Sequence, residues 1–326
     1  MRAIVIRGPG GPEVLELRDV PLPEPSRGEV RVRVRATAVN RADILQRLGK
    51  YPAPPGSPVD IPGMELAGEV DALGDGVTDR AVGDRVFGIV GGGSYAEYVV
   101  VHGRTLARIP DGMTFTDAAA VPEAFVTAWD ALVTQAKLCA GETVLVHAAG
   151  SGVGTAGVQI ARAIGARTVG TARTSQKIER AVSLGLSVAI VVAGPTFAGD
   201  VLACTHGQGV EVVLDLVGGP YVAEDLACLA PRGRIMVVGT MGGPSVQLDL
   251  ALLMTKRAIL RGTVLRSRPL EEKILAGRAL ERHIVPLLAA GALRPIVDSV
   301  LPLAEAAEAH RRMQANETFG KVVLEV

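Results

Sequence analysis

Thr143-Val144-Leu145-Val146-His147, a short apolar run, passes without interruption into Ala148-Ala149-Gly150-Ser151-Gly152-Val153-Gly154-Thr155-Ala156-Gly157. Five residues of this kind followed by glycines read as a buried strand ending in a tight turn. The apolar pattern then takes a helical period from Val153 to Ile164. Gly152, Gly154 and Gly157 fit G-x-G-x-x-G in the setting that gives the motif meaning, after a strand and opening a helix. Glycines there let the backbone approach a pyrophosphate closely, and the helix start offers unpaired N–H groups and a positive dipole end to the anion. A strand-to-helix turn without ligand is the competing reading, and the repeating pattern of the next hundred residues weighs against it.

Downstream, strand and helix signals alternate. Strands are expected at Thr168–Ala172, Val188–Val192, Val210–Leu216, Arg234–Val238 and Ile259–Val264, with a helix around Gln176–Leu184. Six apolar strands separated by helices predict an α/β fold with a doubly wound parallel sheet of the Rossmann kind. In such a sheet the end of the second strand reads the adenosine ribose, where an acid would hold the 2′-hydroxyl of NAD. This chain has Ala172-Arg173-Thr174-Ser175-Gln176-Lys177 and no acid. Arg173, Ser175 and Lys177 suit a doubly charged 2′-phosphate, so the expected cofactor is NADPH. Solvated charges at a helix start are the alternative, against which stands the dipole, which disfavours cations at that end unless an anion is bound.

Upstream of residues 120–125 the texture is β. Glu29–Arg35 alternates strictly, putting Val30, Val32 and Val34 on one face and Arg31, Arg33 and Arg35 on the other. This alternation makes the arginines a solvated strand face and not a basic patch. Pro/Gly clusters at 21–25, 52–58, 73–76 and 91–93 punctuate several short strands, as in a small barrel-like β domain. The proline-rich Tyr51–Pro58 is expected to be an ordered loop. The tail should hold an amphipathic helix over Glu271–Ala289, a short helix over Ala304–Gln314 and a last strand over Lys321–Val326.

Composition limits the function classes. Lys plus Arg and Asp plus Glu each number 34, so the chain has no net basic field to draw nucleic acid or membrane. Aromatics are 3% of residues, too few for base-stacking platforms. Met1–Arg7 reads as a first strand and not a signal peptide, and no apolar stretch is long enough to span a bilayer, so a cytoplasmic location is expected. Cys139, Cys204 and Cys228 are widely spaced without metal-ligand spacing and are expected to be buried, reduced thiols. His147 ends the first strand of the motif and is read as structural.

Several further stretches carry a resemblance. They are Gly10-Gly11-Pro12-Glu13, Ala38-Val39-Asn40-Arg41-Ala42-Asp43, Gly49-Lys50-Tyr51, Ala118-Ala119-Ala120-Val121-Pro122-Glu123, Ser151-Gly152-Val153-Gly154-Thr155, Met241-Gly242-Gly243, Leu265-Arg266-Ser267-Arg268 and Gly320-Lys321. Together they resemble the zinc-independent medium-chain dehydrogenases/reductases of the quinone oxidoreductase group, the p53-inducible quinone oxidoreductases and their bacterial relatives above all. The resemblance covers nearly the whole chain. It implies a GroES-like β-rich catalytic domain over 1–122 and 270–326, a Rossmann NADPH-binding domain over 123–269, a cleft between them, a homodimer and reduction of quinones. It also implies catalytic roles for Asn40, Asp43 and Tyr51. Cofactor contacts are implied at Thr127, Ser151, Gly152, Val153, Gly154, Gly239, Met241, Leu265 and Asn316, beside Arg173, Ser175 and Lys177. Two departures stand out. Zinc-dependent relatives have Gly-His-Glu where this chain has Gly63-Met64-Glu65, and a thioether does not replace imidazole on zinc. Relatives often have a Tyr after the third strand, where this chain has Val191-Val192.

Without a metal the chemistry narrows. Hydride addition to a simple ketone makes an alkoxide that needs a Lewis acid or strong proton donor, whereas a quinone or enone spreads the charge through conjugation. Asn40 offers an amide donor for that oxygen and Tyr51 a phenol, while Asp43 either orients one of them or caps the local helix. Reduction of an α,β-unsaturated carbonyl is the enzymatic alternative, and an NADPH-binding scaffold without turnover is the non-enzymatic one.

Overall fold

The computed structural model describes all 326 residues and divides into two compact units, Met1–Val126 with Leu265–Val326, and Thr127–Val264.

The second unit is a Rossmann sheet. Six parallel strands, Thr143–Val146, Arg167–Ala172, Val188–Val191, Val210–Asp215, Leu229–Val237 and Ile259–Gly262, lie in the order 3-2-1-4-5-6. The first strand and the fourth are neighbours, so the order reverses beside the glycine-rich turn, where an open α/β sheet leaves a crevice at its carboxyl edge. Central strands are apolar on both faces because helices cover both: Leu145, Val169, Val213 and Ile235 are all buried. The strand Ile259–Gly262 differs, being exposed at each position at the edge of the sheet.

The first unit is β-rich. Its main sheet has seven strands, with Glu29–Ala38 at the centre, pairing antiparallel with Glu65–Leu73, Tyr98–His102 and Lys321–Glu325. The valines of the alternating segment are inside, at 0–2% exposure, and form a core with Leu66, Val70, Val86 and Leu106. On its polar face Arg31 pairs with Asp71 at 2.7 Å and Arg35 with Glu69 at 2.6 Å, so those arginines are neutralised locally. The tail folds into this unit. Lys321–Glu325 lies in register with Ala36–Ala38, which brings residue 321 beside residues 39–40 although about 280 positions of chain separate them. The tail helix is less uniform than its periodicity suggests. It runs Leu270–Ala279 and Val285–Ala289, with one wider turn over Leu280–Ile284 ahead of Pro286, whose ring cannot continue a regular ladder.

No helix is long and apolar enough to cross a membrane. The three cysteines are free, but only Cys228 is buried: Cys139 is exposed and Cys204 intermediate.

Candidate functional site

In the Rossmann unit, the turn after the first strand is closed by Ala148 at φ +48° and by Ser151, whose Oγ accepts the Gly154 N–H at 3.0 Å as the helix N-cap. A side chain at Gly154 would put its first carbon 2.2 Å from the Ala148 carbonyl oxygen, so only glycine permits this turn. At Gly157 the same atom would press on Leu214 of the adjacent strand, which shows why helix Gly152–Ile164 needs glycine to pack on the sheet. The amides of Gly152 and Val153 make no hydrogen bond within the chain. Two unpartnered donors at the start of a 13-residue helix, beside a glycine cradle, fit a pyrophosphate.

Arg173 and Ser175 are exposed at the end of the second strand, and Thr174 caps the following helix by accepting the Lys177 N–H. Gly239 lies where the fifth strand's loop passes Leu216, close enough that a side chain there would meet the Leu216 carbonyl at 2.6 Å. Met241 follows in the same loop and is 53% exposed, and Thr127 is buried in the helix Pro122–Trp129. Leu265 and Asn316 belong to the β-rich unit instead. Leu265 is buried against a small cavity with Arg266 and Lys273, and Asn316 Oδ1 accepts from Arg41 at 2.7 Å.

Sequence reasoning missed Tyr221. Its hydroxyl donates to the Gly194 carbonyl at 3.3 Å, just beyond the third strand, and the Arg173 charge acts on it. A tyrosine from the helix Tyr221–Cys228 thus stands near where Val191-Val192 offered none. His147 is buried with Nε2 2.7 Å from Asp225 Oδ1 and Nδ1 2.8 Å from Thr171 Oγ1, packed on Phe197 and Tyr221. It is a core histidine.

The β-rich unit holds a buried polar cluster around Asn40. The helix Arg41–Arg47 starts there, and Asp43 Oδ2 accepts the Asn40 N–H at 2.8 Å while Oδ1 accepts the Gly63 N–H at 3.1 Å. Asp43 is fully buried and therefore caps and ties two loops, with burial raising its pKa to about 6. Asn40 is occupied in the same way. Its Nδ2 donates to Glu65 Oε1 at 2.8 Å and Ala38 O at 3.2 Å, and its Oδ1 accepts from Lys321 Nζ at 2.6 Å. Both amide hydrogens are used internally, so the structure makes Asn40 a residue that positions Glu65 and Lys321.

Glu65, 0% exposed, is the centre of the cluster. Lys321 Nζ approaches at 2.7 Å, Asn40 adds one bond, and the Glu123 backbone N–H donates to Oε2 at 2.8 Å. The neighbouring Met64 is buried. The local positive charge is an ammonium held by Glu65, Asn40 and the Val39 carbonyl, which satisfies all three of its donors. Neither Lys321 nor Glu123 was singled out from sequence except as a letter in a longer motif.

Tyr51 is the member of the predicted set left available. It lies in the loop after Gly49, half-buried, and its hydroxyl makes no hydrogen bond within the chain. The Arg266 guanidinium stands 5.2 Å from its ring centre. Arg266 is itself anchored on the Gly91 carbonyl and Gln46 Oε1. Burial raises the Tyr51 pKa, offset by Arg266, so the phenol stays protonated and acts as a hydrogen-bond donor.

Comparison with known proteins agrees with this architecture. Residues 26–111 match the family described as alcohol dehydrogenase GroES-like domain, and residues 186–324 match zinc-binding dehydrogenase. A quinone oxidoreductase from Pseudomonas syringae pv. tomato is 32% identical with a TM-score of 0.88, over all of this chain and 99% of the other. A mycobacterial protein solved in complex with NADPH is 32% identical with a TM-score of 0.89, over the whole of both chains. Among curated proteins, a polyketide synthase of Streptomyces halstedii is 53% identical over 145 residues, 44% of this chain. The chain spans only 2% of that synthase and 10% of the phthioceranic acid synthases that follow it. With full-length similarity to solved oxidoreductases and the two characteristic units in place, the chain belongs to the medium-chain dehydrogenase/reductase family of oxidoreductases.

Proposed function

We propose that the protein is an NADPH-dependent quinone reductase that works without zinc. The observation that carries this is the closed coordination of Glu65 by Lys321, Asn40 and the Glu123 amide, beside Met64. A protein cation and its donors stand around this carboxylate, so activation of the acceptor falls to hydrogen bonds. The Tyr51 hydroxyl is a donor with nothing else to bond. Hydrogen bonding is adequate where the reduced acceptor is a conjugated oxyanion, as for a quinone. The likeness to a Pseudomonas quinone oxidoreductase supports the same acceptor class.

The cofactor reading rests on the Gly152–Gly157 turn with its unpartnered amides, and on Arg173 and Ser175 in place of an acid. NADPH bound to the related mycobacterial protein supports it. Bound here, the cofactor would supply two electrons as hydride. This chain's residues would hold its phosphates at Gly152 and Val153, its 2′-phosphate at Arg173, Ser175 and Lys177, and donate to the acceptor from Tyr51. Reduction of an activated alkene is the second reading, beside the 53% identity over 145 residues to part of a polyketide synthase.

Oxidation of NADPH and NADH should be followed side by side with ortho- and para-quinones and with enones. The expected result is quinone turnover with NADPH preferred, and an Arg173→Ala variant that loses about 10–100-fold in NADPH affinity with little change for NADH. Turnover with enones alone moves the function to alkene reduction. Tight NADPH binding with no turnover makes the protein a scaffold.

The exposed edge strand Ile259–Gly262 supports a homodimer. Ile259 and Leu260 are 47% and 40% exposed, with Met254 and Val264 also open. An unpaired apolar edge invites the same strand of a second copy. Light scattering should give a dimer for the wild type and a monomer for Leu260→Glu; a dimeric variant would contradict pairing at this edge.

A further inference from the structure

We propose that Glu123 is the proton donor of the reaction, delivering its carboxyl hydrogen to the acceptor once the hydride has been added. The inference rests on the reductase reading and gives a role to a residue that the sequence motif contains without one.

Glu123 sits in the first turn of the helix Pro122–Trp129. Its backbone is committed, the N–H bonding Glu65 Oε2, but its side chain is not: Oε2 is buried without a hydrogen-bond partner. A buried carboxyl oxygen left unbonded is unfavourable, more so when charged, so such a group calls for an explanation in a ligand or in protonation. The surroundings supply the second. Glu65 and Asp43 face it with negative charge, Lys321 and Arg266 with positive charge, and Tyr51 with a phenol. Both cations are already bonded elsewhere, Lys321 to Glu65 and Asn40, Arg266 to Gly91, Tyr51 and Gln46. Burial, and next the Glu65 charge, push the Glu123 pKa up to about 8. Near neutral pH the carboxyl therefore carries its hydrogen.

Two neighbouring carboxyls thus stand in different surroundings. Glu65 accepts from Lys321, Asn40 and the Glu123 amide, while the buried Glu123 Oε2 has no donor and its carboxyl is raised into the neutral form. Such a division marks the acid of a pair. It matches what the chemistry lacks. Hydride addition from the reduced nicotinamide leaves a quinone as a hydroquinone monoanion, or an enone as an enolate, one proton short of product. The Glu123 O–H bond breaks as the new O–H or C–H bond forms, leaving a carboxylate. Water restores its proton, since the residue is partly exposed. A donor of this pKa is better matched to neutral pH than the Tyr51 phenol, whose pKa is raised above its ordinary value.

Glu123→Gln keeps the size of the side chain and the backbone bond to Glu65. The expected result is a kcat lower by about 100-fold on quinone and enone alike, with KM and nucleotide affinity little changed. The fall in wild-type rate above about pH 8 should vanish in the variant. Infrared difference spectra of the cofactor-free protein between about pH 7 and 9.5 give a readout independent of turnover. A carboxylic-acid C=O band should be lost on alkalinisation in the wild type and be absent from the variant. An active enzyme whose variant keeps its rate and its alkaline limb overturns the role of Glu123 alone. A wild type idle on every acceptor overturns the reductase reading, and the donor role with it, but leaves the infrared band.

Discussion

Lys321→Met is expected to destabilise the fold by about 3–5 kcal/mol, because it strips a fully buried carboxylate of its counter-charge. Glu65 is 0% exposed and Lys321 4% exposed, so water cannot take over the role of either. Their attraction acts at 2.7 Å in a poorly polarisable interior, unlike the surface pairs Arg2–Glu97 or Arg18–Glu16, whose loss should barely register. Removing the ammonium leaves Glu65 with the Asn40 amide and the Glu123 N–H, and leaves Asn40 Oδ1 and the Val39 carbonyl without a donor. Glu65→Gln alone should cost a comparable amount through an unpaired buried ammonium. The double variant removes both charges and should cost less than the sum, with a coupling of about 2–3 kcal/mol. Denaturant midpoints of the four proteins measure this directly. Additive costs would mean that the two groups do not act as a pair. The cycle also bears on function: if the ammonium supplies the site's fixed positive charge, Lys321→Met should lower kcat even where it remains folded.

That pair was not legible in the sequence, and the reason is topological. Gly320-Lys321 and Gly63-Met64-Glu65 lie far apart along the chain and meet only because the last strand pairs with Glu29–Ala38, which also pairs with Glu65–Leu73. By contrast, the Rossmann unit was readable because its signals are local. A buried parallel strand needs a short apolar run, and the phosphate turn needs glycine where a side chain would strike the Ala148 carbonyl. The alternation of Val30, Val32 and Val34 placed them correctly, since period two fixes the face. Residue type alone gave no sign at Asn40 that its neighbours use both amide hydrogens. It was silent at Glu123, since one glutamate in a helix start looks like any other until its Oε2 is seen buried without a donor. Asp43 kept both readings open in sequence, and its two backbone bonds and full burial give it the cap.

His310→Gln should change how stability depends on pH, by about 3 kcal/mol between pH 7 and pH 4. His310 is 0% exposed. Its Nδ1 lies 3.2 Å from Arg47 Nη1, which can only donate, so Nδ1 accepts and the ring hydrogen is on Nε2, facing the Tyr95 hydroxyl at 3.2 Å. Tyr95 in turn donates to Asp43. Burial, with the Arg47 charge, lowers the histidine pKa to about 3 from an ordinary 6.5. Above about pH 6.5 neither folded nor unfolded histidine is charged and the group has no effect. As pH falls from there towards 3, the unfolded chain takes a proton that the folded one refuses, and stability drops by about 1.4 kcal/mol per pH unit. Asp43 and Asp225, raised by burial to about 6, act in the opposite sense. Their folded carboxyls take up protons before the unfolded ones do, so acidification from about 6 to about 4 returns stability. The wild-type curve mixes these terms, and the informative quantity is the difference between the two proteins. A constant cost of the substitution appears at both pH values and cancels, while the histidine contribution does not. His310→Gln should therefore gain on the wild type as pH falls, and parallel curves would show that the buried ring accepts a proton in place.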